Sequence, residues 1–318
     1  MSFFWRRSFR EAGIVGMNAR NLNYILPYNS RSLYPLVDDK MRTKQLAEKA
    51  GIATPKLFNL IESQGQITNI AEWANHLRDF VIKPAHGSGG NGIVIISERV
   101  RAGYLKSSGQ TISDLELYYH ISKTLSGLYS LGGRSDQVIV EEKVNFDSLF
   151  EKMTYQGVPD IRVLVFQGVP TMAMVRLPTR ESDGKANLHM GGVGVGIDMG
   201  TGKTIFGVQH NKIVNLHPDT GHAIAGVTIP DWDKLLVMAS TFYDLTGLGY
   251  LGVDIVLDKD KGPMILELNA RPGLSIQIAN QEGLQRRLDL VEANIKQLKT
   301  VADKVAFAKE NFRARHKA

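Results

Sequence analysis

The chain has 318 residues, 43% hydrophobic and 22% charged, an ordinary globular composition with enough length to bury about two lobes. It contains no cysteine, which excludes disulfides, thiolate metal sites and cysteine nucleophiles and fits a reducing, cytoplasmic compartment. The formal net charge of +6 favours anionic partners, nucleotide phosphates among them. No run of ~18 apolar residues predicts a membrane span, and the opening MSFFWRRSFREAG lacks the apolar stretch and cleavage site of a signal peptide.

Residues 1–37 are rich in Arg, Asn and Tyr without a clear period and read as an arm or a reduced lobe. Met41, Leu46 and Ala50 stand among charges in a helix over 38–50, with Asp38 or Asp39 as its cap and Gly51 as its end. A short strand follows Pro55. Another strand over 80–83 breaks at Pro84 into HGSGGNG, and a further one resumes over 93–96. A helical region over 113–130 precedes a strand over 137–140, and strands recur at 161–167, 170–176, 192–197 and 204–208. A helix over 231–246, strands over 252–257 and 263–269 and a helical C-terminus complete the chain. Long strands interleaved with helices predict an α+β or α/β fold. The units expected are 1–37, a first lobe over 38–140, a second over 141–295 and a basic helical tail over 296–318. That tail carries Lys296, Lys299, Lys304, Lys309, Arg313, Arg315 and Lys317, read as a solvated helix face. No aromatic-studded basic strand points to nucleic acid.

Three groups of residues carry chemistry. Strands 252–257 and 263–269, joined by DKDKGP, form a hairpin in which Glu267 and Asn269 share a face while Leu266 and Leu268 point to the core. Asp254 on the first strand can lie beside them. Two carboxylates and an amide oxygen suit Mg²⁺, a hard cation whose shell is completed by phosphates and water; the same pattern also suits a solvated polar face. Lys83 at a strand end, followed by the glycines of 86–92, can meet phosphate oxygens while the loop's backbone N–H groups approach them, although a glycine-rich surface hairpin would read alike. The segment 138–144 can offer backbone groups to an adenine edge, and Asp160 and Arg162 can bind ribose and an anion or simply pair with each other. The stretch 196–204, GIDMGTGKT, imitates a phosphate-binding P-loop. Five residues separate its glycines where the motif has four, and no helix opens after Thr204, so a β-turn is expected.

The order of these signals is more specific than any one of them. Asp39-Lys40, Ile82-Lys83-Pro84 with its glycine loop, Val140-Glu-Glu-Lys-Val144, Asp160-Ile-Arg162, Asn187-Leu-His-Met-Gly-Gly192, Gly252-Val-Asp254 and Glu267-Leu-Asn-Ala-Arg-Pro-Gly273 follow in series. That series resembles the ATP-grasp superfamily, most closely its RimK-type α-L-glutamate ligases, over about 38–290. The resemblance implies two α+β lobes holding ATP between their sheets, with one or two Mg²⁺ ions, or Mn²⁺ in their place. It implies Lys40 and Lys83 at the phosphates beneath His86, Gly87, Ser88, Gly89 and Gly90 of the flexible loop. Glu141, Glu142, Lys143 and Val144 would hold adenine and Asp160 the ribose, with Arg162 at an anion. Lys185, Asn187, His189 and Arg271 would serve the reacting groups, and Asp254, Glu267 and Asn269 the metal. The activity implied is ligation of a carboxylate, glutamate by family likeness, to an amine on a peptide, protein or small molecule through an acyl phosphate. Another acid and amine pair, sugar-linked or D-amino acid, and a nucleotide-binding regulator without turnover are the alternatives, with surface binding by the basic tail a further one. Lys185 stands where relatives often have Arg, and Arg271 where many have Ser. The short region before Asp39 leads us to expect a protein partner or second subunit completing the site.

Overall fold

The computed structural model describes residues 11–314 except Asn75, Ser88 and Leu131. Ser88 of the glycine loop, expected at the nucleotide, and Arg315 and Lys317 of the tail therefore lie outside the described residues. No described helix is long and apolar enough to cross a membrane.

Two antiparallel sheets organise the chain. The first runs in the order β1 (Leu57–Ile61), β6 (Val138–Glu141), β2 (Phe80–Pro84), β3 (Val94–Val100), β4 (Gly103–Lys106) and β5 (Thr111–Ile112). The helix Asp114–Leu125 covers it, because Leu117, Ile121 and Leu125 recur at helical spacing and bury against Phe80, Ile82, Val138 and Val140. Ser113 and Glu116 close a capping box at its start. This helix stops short of the expected residue 130 because Gly127 takes φ +87°, a left-handed conformation that ends the helix against Arg134 O.

The second sheet is larger, in the order β11 (Lys212–Val214), β10 (Thr204–Gln209), β9 (Val193–Ile197), β8 (Val169–Leu177), β7 (Asp160–Phe166), β12 (Tyr250–Asp258) and β13 (Gly262–Asn269). β8 and β12 are almost entirely buried, as central strands covered on both faces must be. The helix Trp232–Thr246 packs Leu235, Leu236, Ala239 and Phe242 into this core and ends at Gly247, φ +70°. Val305, Ala308 and Phe312 bury one side of the helix Val301–Asn311. Lys304 is buried there too, with its ammonium 4.7 Å from the Tyr243 ring centre, so the basic tail is more than a solvated face. Between β9 and β10 the P-loop look-alike is a turn, with Asp198 N–H donating to Lys203 O at 2.8 Å and Gly202 at φ +70°.

Residues 11–37 lie against the second sheet as short helical turns. Tyr24 and Tyr28 meet Phe166 edge-on, with centroids 5.5 and 5.0 Å apart, and Tyr24 stacks on Tyr250 at 6.1 Å. Buried Asn29 donates to Tyr250 O at 2.7 Å and Ala270 O at 2.9 Å and accepts from Tyr250 N–H at 2.8 Å. That clamp fixes the approach to the loop after β13.

One local expectation is corrected. Register slips between Asp254 and Ile255, which pair with Glu267 and Ile265, so a bulge at Leu266 turns it away from the lobe's main core. Leu266 packs instead with Val144, Val256 and Met264.

Candidate active site

On the first-lobe side, three lysines converge. Asp39 caps the helix Lys40–Lys49 by accepting from Met41 and Arg42 N–H, and this sets Lys40 and Lys44, four residues apart, on one helix face. Lys40 Nζ donates to Gly87 O at the base of the glycine loop. Lys83, at the end of β2, pairs with Glu141 on neighbouring β6, and Lys44 Nζ lies 3.2 Å from the other Glu141 oxygen. Glu141 is 2% exposed, so its charge needs both ammonium groups. Burial lowers the Lys44 pKa against the upward pull of Glu141. These side chains line a cavity of about 10 Å³, closed on its far side by Ile265 and Leu266 of β13.

The second sheet contributes an alternating chain of charge on one face. Asp160 faces Arg176 across β7 and β8, Arg162 faces Asp254 across β7 and β12, and Asp254 faces Glu267 across β12 and β13. Arg162 Nε and Nη2 donate to the two oxygens of Asp254 at 2.7 and 2.6 Å. Arg176 grips Asp160 with two bonds of 2.5 Å and reaches Asp254 at 2.8 Å. Asn269 Nδ2 donates to Asp254 Oδ2 at 3.2 Å. Burial pushes the Asp160 carboxyl up to about 6 despite Arg176. For Asp254 burial pulls in the same direction, but Arg162 and Arg176 outweigh it and hold the carboxyl down at about 2. Burial alone would lower Arg176, and its two carboxylate partners raise it instead. Both oxygens of Asp160, the residue expected at the ribose, accept from Arg176.

The loops between the lobes bring further residues in. Gly89 and Gly90 take φ +65° and +79°, and a Cβ on Gly90 would stand 3.7 Å from Lys185 Cδ, on Gly89 3.8 Å from Asn187 Nδ2. The glycine loop thus touches the second-lobe loop that carries Lys185 and Asn187. Asn187 caps the short turn Leu188–Met190 by accepting from His189 N–H at 3.0 Å, and His189 itself is exposed. Arg271 is drawn aside: its guanidinium sits 5.2 Å from the Tyr34 ring centre and 3.8 Å from Asp38 Oδ2. Glu142 accepts from Lys56 N–H at 3.1 Å and pairs with Lys261, joining the lobes, while Lys143 Nζ lies 3.8 Å from Asp79. Val144 is buried beside Leu266. Lys44 and Arg176 are absent from the sequence reading. Helical spacing from Lys40 points to the first, and hairpin pairing with Asp160 to the second.

Asp254, Glu267 and Asn269 do come together, with Glu267 and Asn269 half-buried. Among the described residues no three His, Asp or Glu side chains form a metal cage. The donors that are present, two carboxylates and an amide oxygen, fit a Mg²⁺ ion completed by phosphate oxygens and water. The two arginines already balance Asp254, which fits a metal arriving with an anion better than one resident alone.

The sequence matches, over residues 19–293, the family described as sugar-transfer associated ATP-grasp. No curated protein matches it. Among solved structures it is similar to the ATP-grasp ligase PsnB complexed with minimal precursor, at 15% identity and TM-score 0.45, covering 85% of this chain and 64% of that one. It is also similar to D-cycloserine synthetase DcsG, at 15% identity and TM-score 0.47, covering 86% and 74%. A third is the ATP complex of D-alanine–D-alanine ligase from Bacillus anthracis, at 14% identity and TM-score 0.45, covering 88% and 68%. The chain thus spans 64% of the length of PsnB.

Proposed function

The chain belongs to the sugar-transfer associated ATP-grasp family, and from that premise we propose that it is an ATP- and Mg²⁺-dependent ligase joining a carboxylate to an amine through an acyl phosphate. The observation that carries the reading is the pair of charged clusters: Lys40, Lys44 and Lys83 on one lobe, around a cavity closed by Ile265 and Leu266 of β13, and the Asp254–Glu267–Asn269 set with its arginines on β12, β13 and their neighbours. Phosphoryl transfer asks a protein mainly for positioning and charge neutralisation.

In this reading Lys83 and Lys40 hold phosphate oxygens, and the glycine loop covers them with backbone N–H groups. Lys44 and Glu141 keep Lys83 from collapsing outward. Asp254, Glu267 and Asn269 would hold Mg²⁺, which supplies charge neutralisation at the phosphates when bound. Arg162 and Arg176 stand beside that set as fixed positive charge for the transferring group. Lys185 and Asn187, against the glycine loop, orient the acid to be activated, and exposed His189 lies where an incoming amine can be steered. The segment 141–144, with Val144 and Leu266 as an apolar wall, receives adenine.

Glutamate as the acid and a peptide, protein or small amine as acceptor remain part of the proposal, supported by the NLHMGG and ELNARPG motifs. A sugar-linked amine or acid is the second reading, favoured by the family's association with sugar transfer. The test is Mg²⁺-dependent release of ADP and phosphate, with single amino acids against peptide, amine and amino-sugar acceptors. Release that depends on one pair and vanishes in Glu267→Ala establishes ligation. If ATP binds but no pair stimulates release, the reading gives way to a nucleotide-binding protein without turnover.

A further inference from the structure

Asp136 lies just before β6, outside every motif that carries the ligase reading, yet its carboxylate is fully buried. A buried anion must be compensated by donors. Oδ1 accepts from His86 N–H at 3.1 Å, Gln137 N–H at 2.8 Å and His86 Nδ1 at 2.7 Å; Oδ2 accepts from His86 N–H at 3.2 Å and from the Ser130 hydroxyl. One carboxylate therefore holds both the backbone and the ring of His86, the residue from which the glycine loop departs.

An ionised carboxylate only accepts, so the proton on the ring nitrogen facing it is fixed at Nδ1. The other nitrogen, Nε2, then faces outward. It lies 3.8 Å from Asp39 Oδ2 on a side chain 42% exposed, beside the start of the helix that carries Lys40. Lys40 N–H donates to Ala85 O at 3.1 Å and Lys40 Nζ to Gly87 O, so His86 is bracketed by residues already tied to the phosphate-binding lysine.

Resting on the nucleotide-binding reading above, we propose that Asp136 is a positioning residue that acts through His86: it holds Nδ1–H so that the imidazolium form, protonated on Nε2 as well, points Nε2–H at nucleotide phosphate oxygens, and it anchors the base of the glycine loop. Ser130, held by the same carboxylate and bridged to Gly87, completes the anchor.

The test is equilibrium titration of the full chain with a non-hydrolysable ATP analogue and Mg²⁺, together with urea unfolding of each variant. Asp136→Asn keeps the shape of the carboxylate and removes its charge; His86→Gln keeps a donor and removes the imidazole. Each should weaken analogue binding by about tenfold, the scale of one charge-assisted hydrogen bond, and the double variant should bind no more weakly than the worse single one. Should the wild type itself not bind the analogue, the nucleotide reading falls and this inference with it. If the wild type binds and His86→Gln binds equally tightly, the inference alone is overturned, whether or not Asp136→Asn folds. Additive losses in the double variant overturn it as well, because a purely structural Asp136 would shift unfolding without acting through His86.

Discussion

Replacing Arg176 by Leu tests the charge chain most directly. The guanidinium makes two bonds of 2.5 Å to Asp160 and one of 2.8 Å to Asp254, with all three side chains at most 13% exposed. Asp254 keeps its two bonds from Arg162, but Asp160 has no second arginine at such distance. Breaking a buried pair from one side leaves an uncompensated charge and costs about 3–5 kcal/mol. Because burial already raises the Asp160 carboxyl to about 6, the cost should be full near pH 7.5 and shrink near pH 5, where the acid is neutral in wild type and variant alike. Removing both charges in Arg176→Leu/Asp160→Leu should restore most of the stability, since an apolar replacement of a whole buried pair is often close to neutral. Urea unfolding at the two pH values reads all three proteins. A loss below about 1 kcal/mol, a loss independent of pH, or a double variant as unstable as the sum of the singles would refute the reasoning.

Two further outcomes follow from the same geometry. The folded-state pKa of Asp160 lies above its unfolded value near 3.8, so its contribution to stability should grow as pH falls from about 7 through 6 towards 4; that of Asp254, held at about 2, should be lost as pH falls from about 4 through 2. Asp160→Asn should flatten only the upper part of the stability profile, which denaturation in buffers from about pH 2 to 8 would show. Gly157→Ala would place its Cβ 1.9 Å from Gly184 O, a backbone atom next to Lys185. It should cost about 1–3 kcal/mol and lower ADP release by displacing the Lys185 loop, measured by urea unfolding and by Mg²⁺-dependent release of ADP and phosphate.

Sequence alone determined the alternation of strands and helices, the hairpin that can bring Asp254 near Glu267 and Asn269, and the turn nature of residues 198–203. Each depends on local period, turn residues and neighbours in chain order, all of which are written along the chain. The short strands β4, β5 and β11 carried too few residues for a period to register. Only tertiary structure decided which charges meet. Asp160 and Arg176 are 16 residues apart, Arg162 and Asp254 are 92 apart, and Asp136 reaches His86 across 50. Sheet order β8-β7-β12-β13 turns such distant residues into neighbours, and burial then forces every carboxylate to find a donor. Burial likewise sets Asp160 against Arg176, a pairing of buried side chains that no local pattern of the sequence specifies. A residue's chemical type is legible in a sequence; the partner that neutralises it is chosen by the fold.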